Sequence, residues 1–242
     1  MNDIEKLTEL IRQAESITFL TGAGISTESN LPDFRSSKGL WTNNQSFESL
    51  ISRSYYKNNP AGFWKNYKEI FAMKLLDSYE PNRGHEFITF LQDMGKNVVV
   101  ITQNIDGLHE KSGTSRILEV HGTLKTASCL SCSAKYDLNY INEQAVPRCS
   151  ICGTILKPDV VLFGDPIHHW DQAAVAAETA DLFLVMGSSL EVGPVNFLPA
   201  IAHTAGIPMA IINKERTQSD DLFDIKIHAG IGETVQQIRE AF

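Results

Sequence analysis

Cys129, Cys132, Cys149 and Cys152 are the only cysteines in this 242-residue chain, and they are spaced C-x2-C-x16-C-x2-C. Two such knuckles can present four thiolates tetrahedrally to one Zn2+ ion. The competing reading, two redox pairs, fits poorly, because such pairs do not come doubled at zinc-ribbon separation. All four ligands are thiolates and none is left for water, so the expected site is structural rather than catalytic. No cysteine lies elsewhere to staple the core, which suits metal binding in a reducing compartment.

A second group of chemistry-bearing residues sits at the ends of apolar runs. "FLTGAGISTESNLPDFRS" passes from a strand-like segment into G-x-G, with Thr27 where a dinucleotide fingerprint has its third glycine. Glycines after a strand let the backbone approach phosphates, whose charge is met by amides at a helix start. A tight turn before a helix explains the same residues. No acidic residue follows about twenty positions on to clamp a ribose, which speaks against an ordinary NAD dehydrogenase. In "PDFR", Arg35 can pair with a phosphate and Phe34 can cover a ligand face; a solvated arginine beside a buried phenylalanine is the plainer alternative. "TQNIDGLH" places Gln103, Asn104 and Asp106 at one strand end, where burial without partners is costly. A carboxamide-bearing ligand would satisfy them; so would a turn in which Asn104 or Asp106 caps a helix. "VHG" puts His121 at another strand end, where an imidazole near neutral pKa can act as a general base, although the chain has seven histidines and a lone one is usually structural.

The elements that must position these residues alternate. Ile4, Leu7, Leu10, Ile11 and Ala14 recur at helical spacing. Strands are expected at Ile17–Thr21, Asn97–Thr102, Ile117–Gly122, Asp181–Ser189, Pro208–Asn213 and Asp224–Gly230, with helices near Arg83–Asp93 and Glu233–Phe242. Several strands are apolar throughout, implying burial on both faces and hence an α/β class, a doubly wound, Rossmann-like parallel sheet. In such sheets ligands sit beyond the carboxyl ends of the strands, where "TGAGIS", "TQNIDGLH", "VHGT", "MGSSLEV" and "INKE" fall. Aromatic-rich Ser37–Tyr79 and the cysteine-bearing Lys125–Leu156 interrupt the alternation, so a smaller lobe is expected, made of a helical insertion and a four-cysteine zinc ribbon. The division is residues 37–76 plus 125–155 for this lobe, against 1–36 plus 77–124 plus 156–242 for the nucleotide-binding domain. Apolar content of 43% and charged content of 21% are ordinary for a globular chain. The net charge of −8 argues against a sequence-independent nucleic-acid binder. No signal peptide or transmembrane run is visible, so a cytoplasmic protein without a membrane partner is expected.

GAGIS, PDFR, GLW, TQNID-x-LH, HG, the paired knuckles, KPDVVLFGD, GSSL and a late strand ending in Asn form one ordered series. In this series the chain resembles the sirtuins, NAD-dependent protein-lysine deacylases, from Thr21 to about Gly232. The resemblance implies that NAD lies between the sheet domain and the small lobe. Ala23, Thr27, Phe34 and Arg35 match the cofactor loop, Gln103 a ribose contact, Asn104 a further cofactor-binding position, and Ile105 and Asp106 the nicotinamide pocket, with Asp106 accepting from the carboxamide. Ser188, Ser189, Asn213 and Ile231 match the adenosine side. Val160, Phe163, Gly164 and Asp165, with Val192 and Gly193, match two backbone edges that sandwich an acetylated-lysine peptide as an added strand. NAD is then consumed as a co-substrate. The acyl oxygen attacks the anomeric carbon to give an alkylimidate, and His121 deprotonates a ribose hydroxyl. The products are nicotinamide, O-acyl-ADP-ribose and free lysine.

Two departures stand out. Asp165 replaces the commoner glutamate. Family members that remove succinyl or malonyl groups carry a tyrosine and, three residues on, an arginine; here Tyr67 is followed by Ile70. A buried carboxylate would go unpaired, at a cost of roughly a few kcal/mol, so neutral acyl groups are expected. The same NAD site would serve a protein ADP-ribosyltransferase, and a non-catalytic zinc-ribbon binding module is a third reading that would not need His121. A monomer is compatible with all three.

Overall fold

The structure, a computed structural model, describes residues 2–31 and 47–242. Phe34 and Arg35 lie outside the described residues. The chain opens with α1 (Asp3–Gln13), β1 (Ser16–Thr21) and a 3₁₀ segment, Ala23–Ser29. Three short helices follow: α2 (Phe47–Leu50), α3 (Arg53–Asn58) and α4 (Pro60–Ile70). Next come α5 (Arg83–Asp93), β2 (Asn97–Thr102), α6 (Leu108–Lys111), β3 (Ile117–Glu119), β4 (Gly122–Ser128), β5 (Lys135–Asp137), α7 (Leu138–Glu143) and β6 (Lys157–Val160). The last third is α8 (Trp170–Glu178), β7 (Leu182–Met186), α9 (Leu198–Thr204), β8 (Met209–Ile212), β9 (Ile225–Ile227) and α10 (Ile231–Glu240).

Six strands form one parallel sheet in the order β3-β2-β1-β7-β8-β9. The order reverses between β1 and β7, the switch point at which doubly wound sheets bind ligands. Both faces are covered, as the all-apolar strands require. Leu7, Ile11, Phe87, Leu91, Val235 and Ile238 from α1, α5 and α10 pack on one face. Ala173, Ala177, Leu198 and Ala202 from α8 and α9 pack on the other. The register matters for function. Thr21 is level with both Thr102 and Met186, so Gly22, Gln103 and Gly187 leave the sheet side by side.

The second sheet is antiparallel, β5-β4-β6. Phe63, Trp64 and Tyr67 of α4 are fully buried against Leu124, Ala127, Ile141 and Leu156, and the Trp64 indole N–H donates to the Leu156 carbonyl at 2.8 Å. Rings of this size remove roughly 150–250 Å2 each from water, about 4–6 kcal/mol apiece as an upper bound. The helical insertion and the cysteine-bearing segment therefore share one core. Among the described residues no helix is long and apolar enough to cross a membrane.

One expected strand is divided. Ile117–Gly122 does not run through: β3 ends at Glu119 in the large sheet and β4 begins at Gly122 in the small one. Gly122 has φ +77°, and a Cβ there would collide with the Asp159 carbonyl, so the crossing needs glycine. His121 thus sits on the bridge between the sheets. The expected Asp181–Ser189 strand is shorter too. The Asp181 carboxylate is drawn away to the Ser16 amide at 2.8 Å, and Gly187 turns the chain at φ +70°.

Candidate active site and thiol centre

The site is assembled at the switch point by close backbone contact. The Gly22 N–H donates to the Met186 carbonyl at 3.3 Å, and the Gly24 N–H to the Gly187 carbonyl at 2.8 Å. A Cβ on Gly22 or Gly24 would lie 2.8 Å from the Gly187 backbone, and one on Gly187 would strike the Ile25 amide. Of the two sequence readings of the G-x-G, the tight turn is the one these contacts display. These two amides are spent on the sheet, and the segment that follows is 3₁₀ rather than the opening of an α-helix. The glycines serve first to let two strand-end loops touch.

Around this contact lies a cleft of about 1350 Å3, larger than the roughly 300–1,000 Å3 of an ordinary small-molecule pocket. Ala23, Thr27, Gln103, Asn104, Ile105, His121, Ser188, Ser189, Asn213 and Ile231 all line it, as do Val160, Phe163, Gly164, Asp165, Val192 and Gly193. A side pocket of about 70 Å3 adjoins it, bounded by Ala23, Ser26, Phe71, Ile105 and Asp106 among others. The structure therefore brings together every described residue expected to touch cofactor or substrate.

Their hydrogen bonds separate scaffold from candidate contact. Asn104 is structural as well as lining: its side-chain amide donates to the Gly22 carbonyl and to Ser26 Oγ, both at 3.1 Å. Asp106 accepts from Ser26 Oγ at 2.8 Å and, at the start of α6, from the Leu108 N–H at 2.9 Å. The motif thus lines the cavities and forms a turn, but the N-cap of α6 is Gly107 and not Asn104 or Asp106 as expected. Burial pushes the Asp106 carboxyl pKa up, against the Leu108 amide, Ser26 and Lys125, which lower it. Gln103 differs. Its Oε1 accepts from Ser188 Oγ at 3.3 Å, but its Nε2 is buried with no partner. A buried donor on a cavity wall, unpaired, is the mark expected where a polar ligand completes the site.

His121 Nδ1 lies 3.1 Å from the Gln103 carbonyl. A carbonyl only accepts, so Nδ1 carries the proton and Nε2 is the basic nitrogen. Burial lowers the imidazole pKa; the Gln103 carbonyl raises it, and His168 lowers it further.

The peptide edges are narrower than expected. The Phe163 carbonyl already accepts from the Arg53 N–H at 3.0 Å, and its N–H donates to the Ile51 carbonyl at 3.4 Å. Asp165 does not face outward as a free acid. It is paired with Lys157 at 3.0 Å and Arg53 at 3.5 Å and accepts from the Leu162 N–H at 3.3 Å, so it fixes the turn that carries the edge. Tyr67 is fully buried in the α4 core and is not on either cavity wall, whereas Ile70 and Phe71 bound the side pocket. Sequence reasoning missed Glu28, which lines the cleft and accepts from the Gly232 N–H at 2.9 Å; nothing in the local sequence marks it.

The four cysteine sulfurs lie within 4.8 Å of one another, with Sγ–Sγ separations of 3.4 Å (Cys129–Cys152), 3.4 Å (Cys132–Cys149) and 3.8 Å (Cys132–Cys152). A tetrahedral Zn2+ with bonds of about 2.3 Å spaces its sulfurs by about 3.8 Å, so the cluster fits that ion. The knuckles repeat one turn. The Ser133 N–H donates to the Cys129 carbonyl and the Gly153 N–H to the Cys149 carbonyl, both at 2.9 Å, and Ser133 and Gly153 both have positive φ.

Fold and cleft together define an α/β nucleotide-site protein with a four-thiol module inserted after the edge strand β3. Known proteins narrow this. The Sir2 family model matches residues 22–194. NAD-dependent protein deacetylase 2 of Geobacillus kaustophilus is 48% identical over 99% of this chain and 98% of its own. The NAD-dependent protein deacetylase of Chromobacterium violaceum is 50% identical over 98% and 97%. A structure described under the mechanism and regulation of Sir2 enzymes superposes with TM-score 0.87 at 41% identity, covering 98% of this chain and 96% of that one. A Sir2 complex with a p53 peptide and NAD+ does so with TM-score 0.87 at 30% identity, covering 100% and 98%. The chain belongs to the Sir2 family.

Proposed function

We propose that this chain is an NAD-dependent protein-lysine deacetylase, with His121 as its general base. The observation that carries the reading is the pairing of His121 with Gln103 on one cleft wall: a base with a defined free nitrogen beside a buried amide that lacks a partner. When bound, NAD supplies the ribose carbon that receives the acyl oxygen, with nicotinamide as leaving group. His121 Nε2 accepts the proton of a ribose hydroxyl. Gln103 Nε2 donates to the ribose side, and Asp106 accepts from a carboxamide in the side pocket. Ser189, Asn213 and Ile231 bound the adenosine end. The acetyl-lysine peptide lies between Val160–Asp165 and Val192–Gly193. Phe34 and Arg35 are assigned to the cofactor on the family motif alone. Relatives named deacetylases and a Sir2 neighbour holding a p53 peptide with NAD+ favour deacetylation over ADP-ribosyl transfer to protein.

The acyl group is neutral. Among the described lining residues the cations are Lys214 and Arg216, beside Asn213, while Ile51, Phe71 and Leu162 bound the acyl side. The division between the small lobe and the sheet domain belongs to this reading, as does a cytoplasmic location, supported by four cysteines that are gathered as one metal-binding cluster and not paired as disulfides. One assay tests the whole: acetylated peptide with and without NAD, following nicotinamide and deacetylated product together. Equimolar, NAD-dependent release of both is expected, and loss of acetyl without NAD overturns the reading. Faster removal of succinyl than acetyl from the same peptide overturns the acyl assignment.

A further inference from the structure

Behind the cleft wall, two histidines that the reaction does not use are buried ring against ring. His85 of α5 and His109 of α6 are 0% and 2% exposed, with ring centroids 4.9 Å apart and planes at 63°. Burial keeps both neutral, lowering the pKa of His85 to about 4 and that of His109 well below its ordinary value. Their tautomers follow from proton accounting. The Thr21 hydroxyl has one proton and gives it to Thr102 Oγ1 at 2.9 Å; towards His109 Nε2, also at 2.9 Å, it can therefore only accept. His109 is protonated on Nε2 and bare on Nδ1. His85 Nδ1 accepts from the Asn82 N–H at 3.3 Å, so its proton is on Nε2. The two ring atoms left over, His85 Nε2 and His109 Nδ1, are both buried with no partner. One is a donor and the other an acceptor.

We propose that His85 donates from Nε2 to His109 Nδ1 through one buried water, and that this pair positions the cofactor loop. The pair joins two grips on the 3₁₀ segment Ala23–Ser29. On one side Asn82 donates from its side chain to the Ile25 carbonyl at 2.8 Å and to Ser29 Oγ at 2.9 Å. On the other, His109 holds Thr21, Thr21 holds Thr102, and Thr102 Oγ1 accepts from the Asn104 N–H at 3.0 Å. The Asn104 side chain in turn holds Gly22 and Ser26, and Ser26 holds Asp106. His85 and His109 are thus positioning residues: they reach Ala23, Thr27 and Asp106 through this relay and touch no substrate. The role rests on the deacetylase reading; the tautomers do not.

Two measurements test it. In wild-type protein labelled with 15N-histidine, long-range 1H–15N spectra are expected to show both rings neutral and protonated on Nε2; an Nδ1–H tautomer at His109 overturns the relay whatever the protein's activity. In kinetics, H85F and H109F are each expected to raise KM for NAD tenfold or more with KM for acetyl-peptide unchanged. The double variant should be no worse than either single one, because the pair acts as a unit. H109F removes both the donor for Thr21 and the acceptor for His85, whereas H109Q keeps a donor for Thr21 and has no acceptor at the Nδ1 position, so it should stay impaired, and full recovery by H109Q overturns the link to His85. Equal losses for NAD and peptide, or a double variant at the product of the single effects, overturn the positioning role. Wild type without NAD-dependent deacetylation overturns the function reading, and with it the role, while the spectrum still decides the tautomers.

Discussion

His121 Nδ1 lies 3.1 Å from the main-chain oxygen of Gln103, so one residue both orients the base and offers the cleft an unpaired side-chain donor. The carbonyl fixes the tautomer, and the amide beside it marks where a ligand must complete the wall.

The first prediction concerns pH. Burial holds the His121 pKa below 6.5, and a general base works only when neutral. The acid limb of kcat/KM is therefore expected below pH 6.5, with no loss from this group as pH rises above it. His121→Ala should lower kcat by roughly 10²–10⁴-fold with an unchanged melting temperature. An unaltered rate would remove His121 from the chemistry.

The Gln103 side chain can be tested alone. Gln103→Glu keeps its shape but replaces a donor with an acceptor. Loss of a buried hydrogen bond costs about 1–3 kcal/mol, so KM for NAD should rise by roughly 5- to 150-fold with little change for peptide. Isothermal titration with NAD provides the check, and equal affinity contradicts the assignment.

Metal analysis should give about one zinc per chain. Chelation should lower the melting temperature and loosen the small lobe, since the binding energy of such sites is folding energy. Cys149→Ser is expected to reproduce the effect. A chelated protein with an unchanged melt would deny the cluster its structural role.

His85 makes stability fall in mild acid. Its folded pKa is about 4, against an ordinary value near 6.5. The unfolded chain therefore binds the extra proton first, and its contribution is present above pH 6.5 and lost as pH falls towards 4. The shift corresponds to roughly 3 kcal/mol. Urea unfolding of wild type and His85→Phe across this range should show the slope reduced in the variant.

Much of the molecule was legible in residue order. All-apolar strands read as a doubly wound sheet because burial on both faces leaves no polar alternation, and the cysteine spacing read as one four-thiol cluster because knuckle geometry is local. The ordered motifs identified the family. Tertiary structure alone decided the rest. Ile117–Gly122 looks like one strand, yet it divides between two sheets, because only the approach of Asp159 reveals what Gly122 must avoid. The G-x-G reads as a phosphate loop or a tight turn, and which partners its glycines take is not local: the Gly22 and Gly24 amides go to Met186 and Gly187, residues remote in sequence that the parallel register makes level with them. His109 closes the TQNIDGLH motif but nothing there points to His85, and neither His85, Glu28 nor the ion pairs of Asp165 carry a local signal. A side chain's type announces which bonds it can make. Which of them are already satisfied depends on neighbours that only the folded chain brings within reach.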